Sequence, residues 1–185
     1  MIREIILTTT SQEGEIHLAP MGVHLLDEER WLIMPFHPSR TLENLIHTGV
    51  AVMNVCEDVR IFAGCLTGRR SWPTVPAAKV QGHRLVDALT HVELSLENFD
   101  EDPVRPRCVT RTVHMEQHAP FLGFNRAQSA VLEAAILASR LDRLSAEKIR
   151  TEMAIHEIAL EKTGGLRERE AWDWVSDKIR AYLEG

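Results

Sequence analysis

The chain has 185 residues, of which 44% are hydrophobic and 26% are charged, and its formal net charge is −6 with neutral histidines. This length and composition are typical of a globular protein with one domain, or with one domain and an appendage. The acidic balance and the lack of a basic stripe argue against nucleic-acid binding. No apolar run approaches the length of a membrane span, and the N-terminus lacks a signal-peptide pattern.

The cysteine pattern bears on the compartment. Cys56, Cys65 and Cys108 are widely spaced and odd in number. Such a pattern favours free thiols in a reducing environment over a framework of disulfides. We therefore expect a cytoplasmic protein without a membrane partner.

Residues 1–122 contain short apolar runs separated by turn residues, which predicts a mostly antiparallel sheet closed into a small barrel. Short helices are expected at residues 41–47 and 58–66, and residues 67–83 are predicted to be irregular because they are rich in glycine and proline. Pro20 interrupts the second strand and indicates an edge, a bulge or a strand end there. The six predicted strands are residues 2–9, 15–23, 31–35, 50–55, 91–98 and 107–117.

Residues 123–185 have helical periodicity and are predicted to form a C-terminal helical subdomain. Asn125 and Ser145 are predicted N-caps because their side-chain oxygens can accept helix-start amides. The first of these helices is expected to reach Leu144, and the second to end at Thr163, Gly164 and Gly165, where a glycine takes a left-handed cap. A last helix is expected at residues 167–183.

The start of the helix at 41–47 contains a local conflict. Ser39 is a suitable N-cap, but the first helical residue is Arg40, a cation where the helix dipole favours negative charge. Local rules tend to fail at functional sites. A phosphate bound by the free amides, the hydroxyls of Ser39 and Thr41 and the guanidinium of Arg40 would resolve the conflict. The alternative is an ordinary capped helix with a solvated arginine.

Arg126 follows the predicted Asn125 cap and is again a cation at a helix start. It is a candidate for a second anion contact, and the alternative is a solvated arginine or a surface ion pair. His17 and His24 on the predicted hairpin arm at residues 15–24, and His37 beside the presumed anion site, are further candidate polar groups, with ordinary surface or half-buried histidines as the alternative.

Other catalytic and metal motifs are weak. His114 and His118 have the spacing of a zinc-binding helix pair, but four steps along a strand span about 13 Å, too far for one ion. We therefore expect no metal site. Residues 64–71 only faintly resemble a P-loop, because arginine replaces the required lysine. No serine elbow and no acid–base pair of carboxylates stands out.

Three segments, read in order, resemble the FMN-binding split β-barrels, which include flavin reductases and relatives of pyridoxine-phosphate oxidase. They are APMGV (19–23), PFHPSRTLENL (35–45) and VAVMNV (50–55). The sequence most resembles a family of small flavoproteins, domain of unknown function 447, and the likeness extends to FNRAQSAVLEAAILASR (124–140). The resemblance implies a six-stranded split barrel over residues 1–122 with the helical subdomain, 123–185, packed on it.

The resemblance also implies a homodimer that holds FMN at its interface. The phosphate would lie at Ser39, Arg40, Thr41 and Asn44, and Pro20, Met21, Gly22 and Val23 would run beside the flavin ring. Phe36 would stack on the flavin ring or form one side of its binding site. Asn54 is a polar residue in an apolar strand and needs a partner. The flavin or the dimer mate would supply one, and the alternative is a satisfied core amide.

The function that follows from the resemblance is that of a flavoprotein oxidoreductase acting on an unidentified small molecule. The flavin would transfer hydride or electrons, and the protein would bind and orient it. A link to tetrahydromethanopterin-dependent one-carbon metabolism is part of this expectation. The alternatives are a non-catalytic flavin carrier or sensor, a dimeric scaffold without cofactor, and a related protein that holds deazaflavin or haem.

Overall fold

The computed structural model describes residues 1–185, which divide into two units. The first unit comprises residues 1–56 and 72–121, and the second comprises residues 57–71 and 122–185. The sequence pattern assigns residues 57–71 to the barrel segment, whereas the structure groups them with the helices. The reason is apolar burial, since Val59 and Ala63 belong to the core of the helical unit.

The first unit is a closed barrel of six antiparallel strands, which confirms the predicted fold class. The order around the barrel is β1, β2, β3, β8, β7, β4. Two further strands, β5 and β6, pair with each other and are only three residues long; β5 lies within the predicted irregular segment and β6 begins at its last residue. The strands are β1 (Ile2–Thr10), β2 (Ile16–Leu25), β3 (Arg30–Ile33), β4 (Val50–Val55), β5 (Thr74–Pro76), β6 (His83–Leu85), β7 (Thr90–Asp100) and β8 (Arg107–Gln117).

The barrel interior is filled by alternate side chains of the strands, as expected for a sheet closed on itself. Helix α1 (Arg40–Thr48) adds Leu42 and Leu45 to this core and ends at Gly49, whose φ of 70° places it in the left-handed region. The buried core residues are Ile5, Leu7, Val23, Ile33, Leu42, Leu45, Ala51, Met53, Val92, Leu94 and Cys108.

Strand β2 is paired unevenly on its two sides. It pairs with β1 along its whole length, but with β3 only at His24 and Leu25. Residues 18–23 therefore have no strand partner on the β3 side. Pro20 lies inside β2 opposite Ile6, so it occupies an edge, one of the positions where a strand tolerates proline.

On the outer face of the barrel, Asn54 of β4 holds the β5–β6 segment. Its Nδ2 donates to the carbonyl of Ile6 at 3.1 Å and to the Thr8 hydroxyl at 2.6 Å. Its Oδ1 accepts the amide of Leu85 in β6 at 2.7 Å. Asn54 is 0% exposed, so this one side chain satisfies buried groups on β1 and β6 together.

The helical unit contains α2 (Val59–Leu66), α3 (Arg126–Ala138), α4 (Ala146–Thr163) and α5 (Leu166–Glu184). The predicted caps are confirmed: the Asn125 side chain accepts the Ala127 amide at 2.8 Å, and the Ser145 hydroxyl accepts the Lys148 amide at 3.3 Å. The core of the unit includes Val131, Ala134, Ile149, Leu160, Trp172, Val175 and Ile179. None of the helices is both long and apolar enough to cross a membrane.

Two predicted helix ends are wrong. Helix α3 stops at Ala138 rather than Leu144, because the Ser139 hydroxyl bonds to the Ile136 carbonyl and the chain continues into a short 3-10 turn. Gly164 is extended, with φ −75°, and not left-handed. Helix α5 begins two residues later, which requires extended backbone at its N-cap, Gly165.

Replacing Asn54 by alanine should destabilise the first unit. Asn54→Ala leaves the buried Leu85 amide without its acceptor, and we expect the free energy of unfolding to fall by about 2–3 kcal/mol. Urea denaturation followed by circular dichroism measures the change. Asn98→Ala, at an exposed amide on β7, is the control and should change stability by less than about 0.5 kcal/mol. Equal effects in the two variants would contradict the role given to Asn54.

Candidate functional site

The start of α1 has the predicted cap. The Ser39 hydroxyl accepts the Leu42 amide at 3.3 Å, and the Ser39 carbonyl accepts the Glu43 amide at 3.1 Å. The amides of Arg40 and Thr41 donate to no group of the chain, and Arg40 is exposed. The helix start therefore combines amides that have no acceptor in the chain with an exposed cation, which is the arrangement that favours an anion.

An open cleft of about 530 Å³ lies against this helix start. Ser39, His37 and His47 line the cleft beside α1, and the turn between β7 and β8 forms another wall. The carboxyl groups of Glu43, Glu101 and Asp102 also line it. The volume falls within the range of about 300–1,000 Å³ that is usual for small-molecule sites.

Two of the predicted phosphate ligands are buried. Asn44 uses its side-chain amide to donate to the Thr9 hydroxyl of β1 at 3.1 Å, and it is almost fully buried. Thr41 is 3% exposed. The helical spacing that places Asn44 on the same face as Arg40 and Thr41 therefore does not bring it to solvent. Ser39 and Arg40 remain accessible.

Phe36 precedes this helix and is 52% exposed. The guanidinium carbon of Arg105 lies 4.4 Å from the centroid of its ring, a cation–π contact. One face of Phe36 is therefore already covered by Arg105.

The predicted ring-binding strand lies in β2, within the stretch that lacks a β3 partner. Val23 is fully buried in the barrel core, and Met21 packs against that core. Gly22 lies opposite Glu4, and a Cβ at Gly22 would meet the side chains of Glu4 and Ile2 at 3.1 Å. A ligand that binds along this strand would therefore contact its backbone rather than the side chains of Met21 and Val23.

Asn54 and Arg126 have separate surroundings. The side-chain amide of Asn54 has its hydrogen-bond partners on β1 and β6. Asn54 is therefore a core amide whose hydrogen bonds are satisfied within the chain, and it needs no external partner. Arg126 is exposed at the start of α3 in the helical unit, where Asn125 and Thr163 accept the first amides. The helix start at Arg126 is therefore already capped by side chains.

None of the three cysteines forms a disulfide, as predicted. Burial raises the pKa of Cys65 to about 11 and that of Cys108 to about 11. Such thiols remain protonated near neutral pH and are poor nucleophiles.

A cluster that the sequence did not predict lies on the outer face of β7 and β8. His91 is opposite Glu116 and Glu93 is opposite His114, because the two strands pair antiparallel. His91 Nε2 lies 3.0 Å from Glu93 Oε1, and His91 Nδ1 lies 2.8 Å from His118 Nε2. His114 and His118 each lie beside His91, and they belong to two different groups of possible ligands rather than to one.

Glu93 is fully buried and fixes this cluster. Burial raises the pKa of its carboxyl group, but hydrogen bonds from the amides of Ala78, Lys79 and Val80 and from His91 outweigh burial and hold the pKa below its usual value. The carboxylate therefore stays ionised. The pKa of His118 also lies below its ordinary value, because of desolvation and then the charges of Arg84 and His91.

Three solved structures illustrate the likeness of this fold to known proteins. An FMN-bound protein of family DUF447 from Methanosarcina mazei is 23% identical, with a TM-score of 0.77 over 96% of this chain and 94% of that chain. A flavoredoxin from Methanosarcina acetivorans is 12% identical, with a TM-score of 0.56 over 66% and 72% of the two chains. The 2-nitrobenzoate 2-nitroreductase of Pseudomonas fluorescens is 22% identical, with a TM-score of 0.54 over 63% and 65%. The first unit therefore has the fold of the FMN-binding split β-barrels.

The chain belongs to the DUF447 family of proteins of unknown function. The N-terminal domain of the family matches residues 3–119, and the C-terminal domain matches residues 125–177. This match confirms the family resemblance carried by the three barrel segments and the first C-terminal helix. No curated protein matches the sequence.

Neutralising Glu93 should destabilise the protein in a pH-dependent way. A carboxyl group whose folded pKa lies below its unfolded value contributes stability above the unfolded pKa, and this contribution is lost as the pH falls through the folded pKa. We expect Glu93→Gln to lower the free energy of unfolding by about 2–3 kcal/mol at neutral pH, because hydrogen bonds to a charged acceptor are lost.

The difference in unfolding free energy between Glu93→Gln and the parent protein should shrink as the pH falls below the ordinary pKa of a glutamate side chain. Urea denaturation at a series of pH values measures it. Glu133→Gln, at an exposed position on α3, is the control and should follow the parent at every pH. A difference that is constant with pH would show that the charge of Glu93 is not its cause.

Proposed function

We propose that this protein is an FMN-binding flavoprotein and acts as an oxidoreductase. The observation that carries the proposal is the start of α1, where Ser39 lines a cleft of about 530 Å³ and is followed directly by the exposed Arg40, whose amide has no acceptor in the chain. The FMN-bound DUF447 protein from Methanosarcina mazei, which shares the fold over 96% of this chain, supports it.

The residues at the helix start fit a phosphate group. The amides of Arg40 and Thr41 are available, and Arg40 can supply a charge-assisted hydrogen bond. The carboxylates of the cleft, Glu43, Glu101 and Asp102, would repel the same group. We therefore assign the phosphate to Ser39, Arg40 and the first amides of α1, without the buried Asn44.

The surface offered to the flavin ring is the backbone of residues 18–23. Antiparallel strands expose N–H and C=O groups along an unpaired edge, and these groups can hydrogen-bond the polar edge of a flat ring. Gly22 lacks a side chain in this stretch, and Phe36, fixed by Arg105, provides an aromatic wall. FMN, when bound, supplies hydride or electron transfer, and these residues bind and orient it.

We further propose that the active form is a homodimer. The first unit leaves large apolar side chains exposed on β8, where Val113 is 47% and Met115 is 65% exposed. Apolar side chains of this kind are commonly covered by a partner. Light scattering after gel filtration tests this, and a monomer at micromolar concentration would contradict it.

We propose a pterin as the substrate class of this flavoprotein. The family resemblance suggests a tetrahydromethanopterin-linked redox step in the cytoplasm, and no feature of the cleft selects a pterin. Titration of the FMN-loaded protein with tetrahydromethanopterin, followed by flavin absorbance, tests this link. An unchanged flavin spectrum and absent binding would remove it while leaving the flavoprotein proposal intact.

Arg40→Ala should weaken FMN binding about 10- to 100-fold, because a charge-assisted hydrogen bond contributes about 1.5–3 kcal/mol. Titration of the protein into FMN, followed by flavin fluorescence, gives Kd. Arg150→Ala, an exposed arginine on α4, is the matched control and should bind like the parent. Equal Kd values for Arg40→Ala and the parent would overturn the phosphate assignment.

The purified protein should be yellow and should oxidise NADH or NADPH in the presence of an electron acceptor. The absorption spectrum and the mass of the released chromophore identify the flavin, and steady-state turnover tests the activity. Bound FMN without turnover would favour a carrier or sensor. A colourless protein that also fails to bind added FMN would contradict the flavoprotein proposal and favour a scaffold.

A further inference from the structure

The cluster on the outer face of β7 and β8 has a donor set suited to a metal ion. His91, Glu116 and His118 each offer one ligand atom, and these three atoms lie within 4.8 Å of one another. Two imidazoles with one carboxylate form a donor set that zinc and other divalent transition metals use, with a further position open to water or substrate. The proposed flavin site uses none of these residues.

The tautomer of His91 is fixed by its buried neighbour. Three backbone amides donate hydrogen bonds to the two oxygens of the Glu93 carboxylate, so Glu93 Oε1 acts as the acceptor of the 3.0 Å hydrogen bond from His91 Nε2 as well. His91 Nε2 therefore carries the proton in the neutral ring. The lone pair of Nδ1 then points to His118 Nε2, which lies 2.8 Å away.

This arrangement reproduces a recurring feature of metal sites. A histidine that binds a metal through one ring nitrogen commonly donates its other N–H to a carboxylate, which orients the ring and increases its basicity. Glu93 is such a carboxylate, and it is itself held by the segment at residues 78–80. His91 is 1% exposed, so its ring has a fixed position, whereas His118 and Glu116 are exposed and can adjust.

We propose that His91 Nδ1, His118 Nε2 and the Glu116 carboxylate bind one divalent transition-metal ion of the zinc type. Two nitrogen ligands of a tetrahedral zinc ion are about 3.3 Å apart, given Zn–N distances of about 2.0–2.1 Å. The 2.8 Å separation in the structure therefore has to open by about half an ångström, which a rotation of the exposed His118 supplies.

A second set, His91, Glu93 and His114, also has ligand atoms within 4.8 Å of one another. This set is less suitable, because the Glu93 carboxylate already accepts four hydrogen bonds. His114 Nε2 lies 3.8 Å from Glu116 Oε2, so His114 borders the favoured set and can orient its carboxylate.

Zinc binding to tag-free protein, stripped with a chelator and dialysed, tests the proposal. Equilibrium dialysis at micromolar Zn²⁺ should give one zinc per chain. His118→Ala and Glu116→Gln should each weaken binding by about 10-fold or more, because each removes one of three ligands. His156→Ala, a histidine of α4 outside the cluster, should leave zinc binding unchanged.

The exposed ligand positions keep the experiment independent of folding. His118→Ala and Glu116→Gln should retain the circular dichroism of the parent, and binding of Co²⁺ should give visible absorption that these variants lose. No saturable zinc binding, or equal affinity in His118→Ala and the parent, would overturn the proposal and leave His118–His91–Glu93 as a hydrogen-bonded chain alone. Neither result depends on FMN, so the flavoprotein proposal stands or fails separately.

Discussion

The buried carboxylate of Glu93 is the interaction on which much of the outer barrel surface depends. It is ionised and inaccessible to solvent, and such a group is tolerated only when its hydrogen bonds are complete. Three amides of residues 78–80 complete them, and this requirement folds an otherwise irregular segment against β7. The same carboxylate selects the tautomer of His91 and so determines what the neighbouring surface can bind.

Asn54 fulfils a similar requirement one strand away. Asn54 joins β1, β4 and β6 through one amide group. The segment that contains β5 and β6 is therefore held at two points, by Asn54 at Leu85 and by Glu93 at residues 78–80. Neither anchor adds apolar area. Leaving a buried polar group without a hydrogen bond costs more free energy than a formed hydrogen bond contributes. Each anchor therefore destabilises every position of the attached segment except the one that completes its hydrogen bonds.

The sequence predicted the elements whose signals are local. Alternation gave the six barrel strands, and the Ser39, Asn125 and Ser145 caps could be predicted because a cap depends on three or four neighbouring residues. Contacts between residues far apart in the sequence were not predictable. Asn44 is hydrogen-bonded to Thr9, 35 residues away, and His91 to His118, 27 residues away. The local sequence therefore has no signature for the burial of Asn44 or for the histidine cluster.

The unpaired edge of β2 has a consequence for solubility. An open strand edge is a template on which a strand of another molecule can add and begin aggregation. Pro20 lies in the middle of this edge and has no N–H to offer to an added strand. A flat heterocycle needs only two or three backbone groups, whereas a polypeptide needs a continuous ladder. The proline therefore lets the edge stay open to a small ligand while it resists the association of chains.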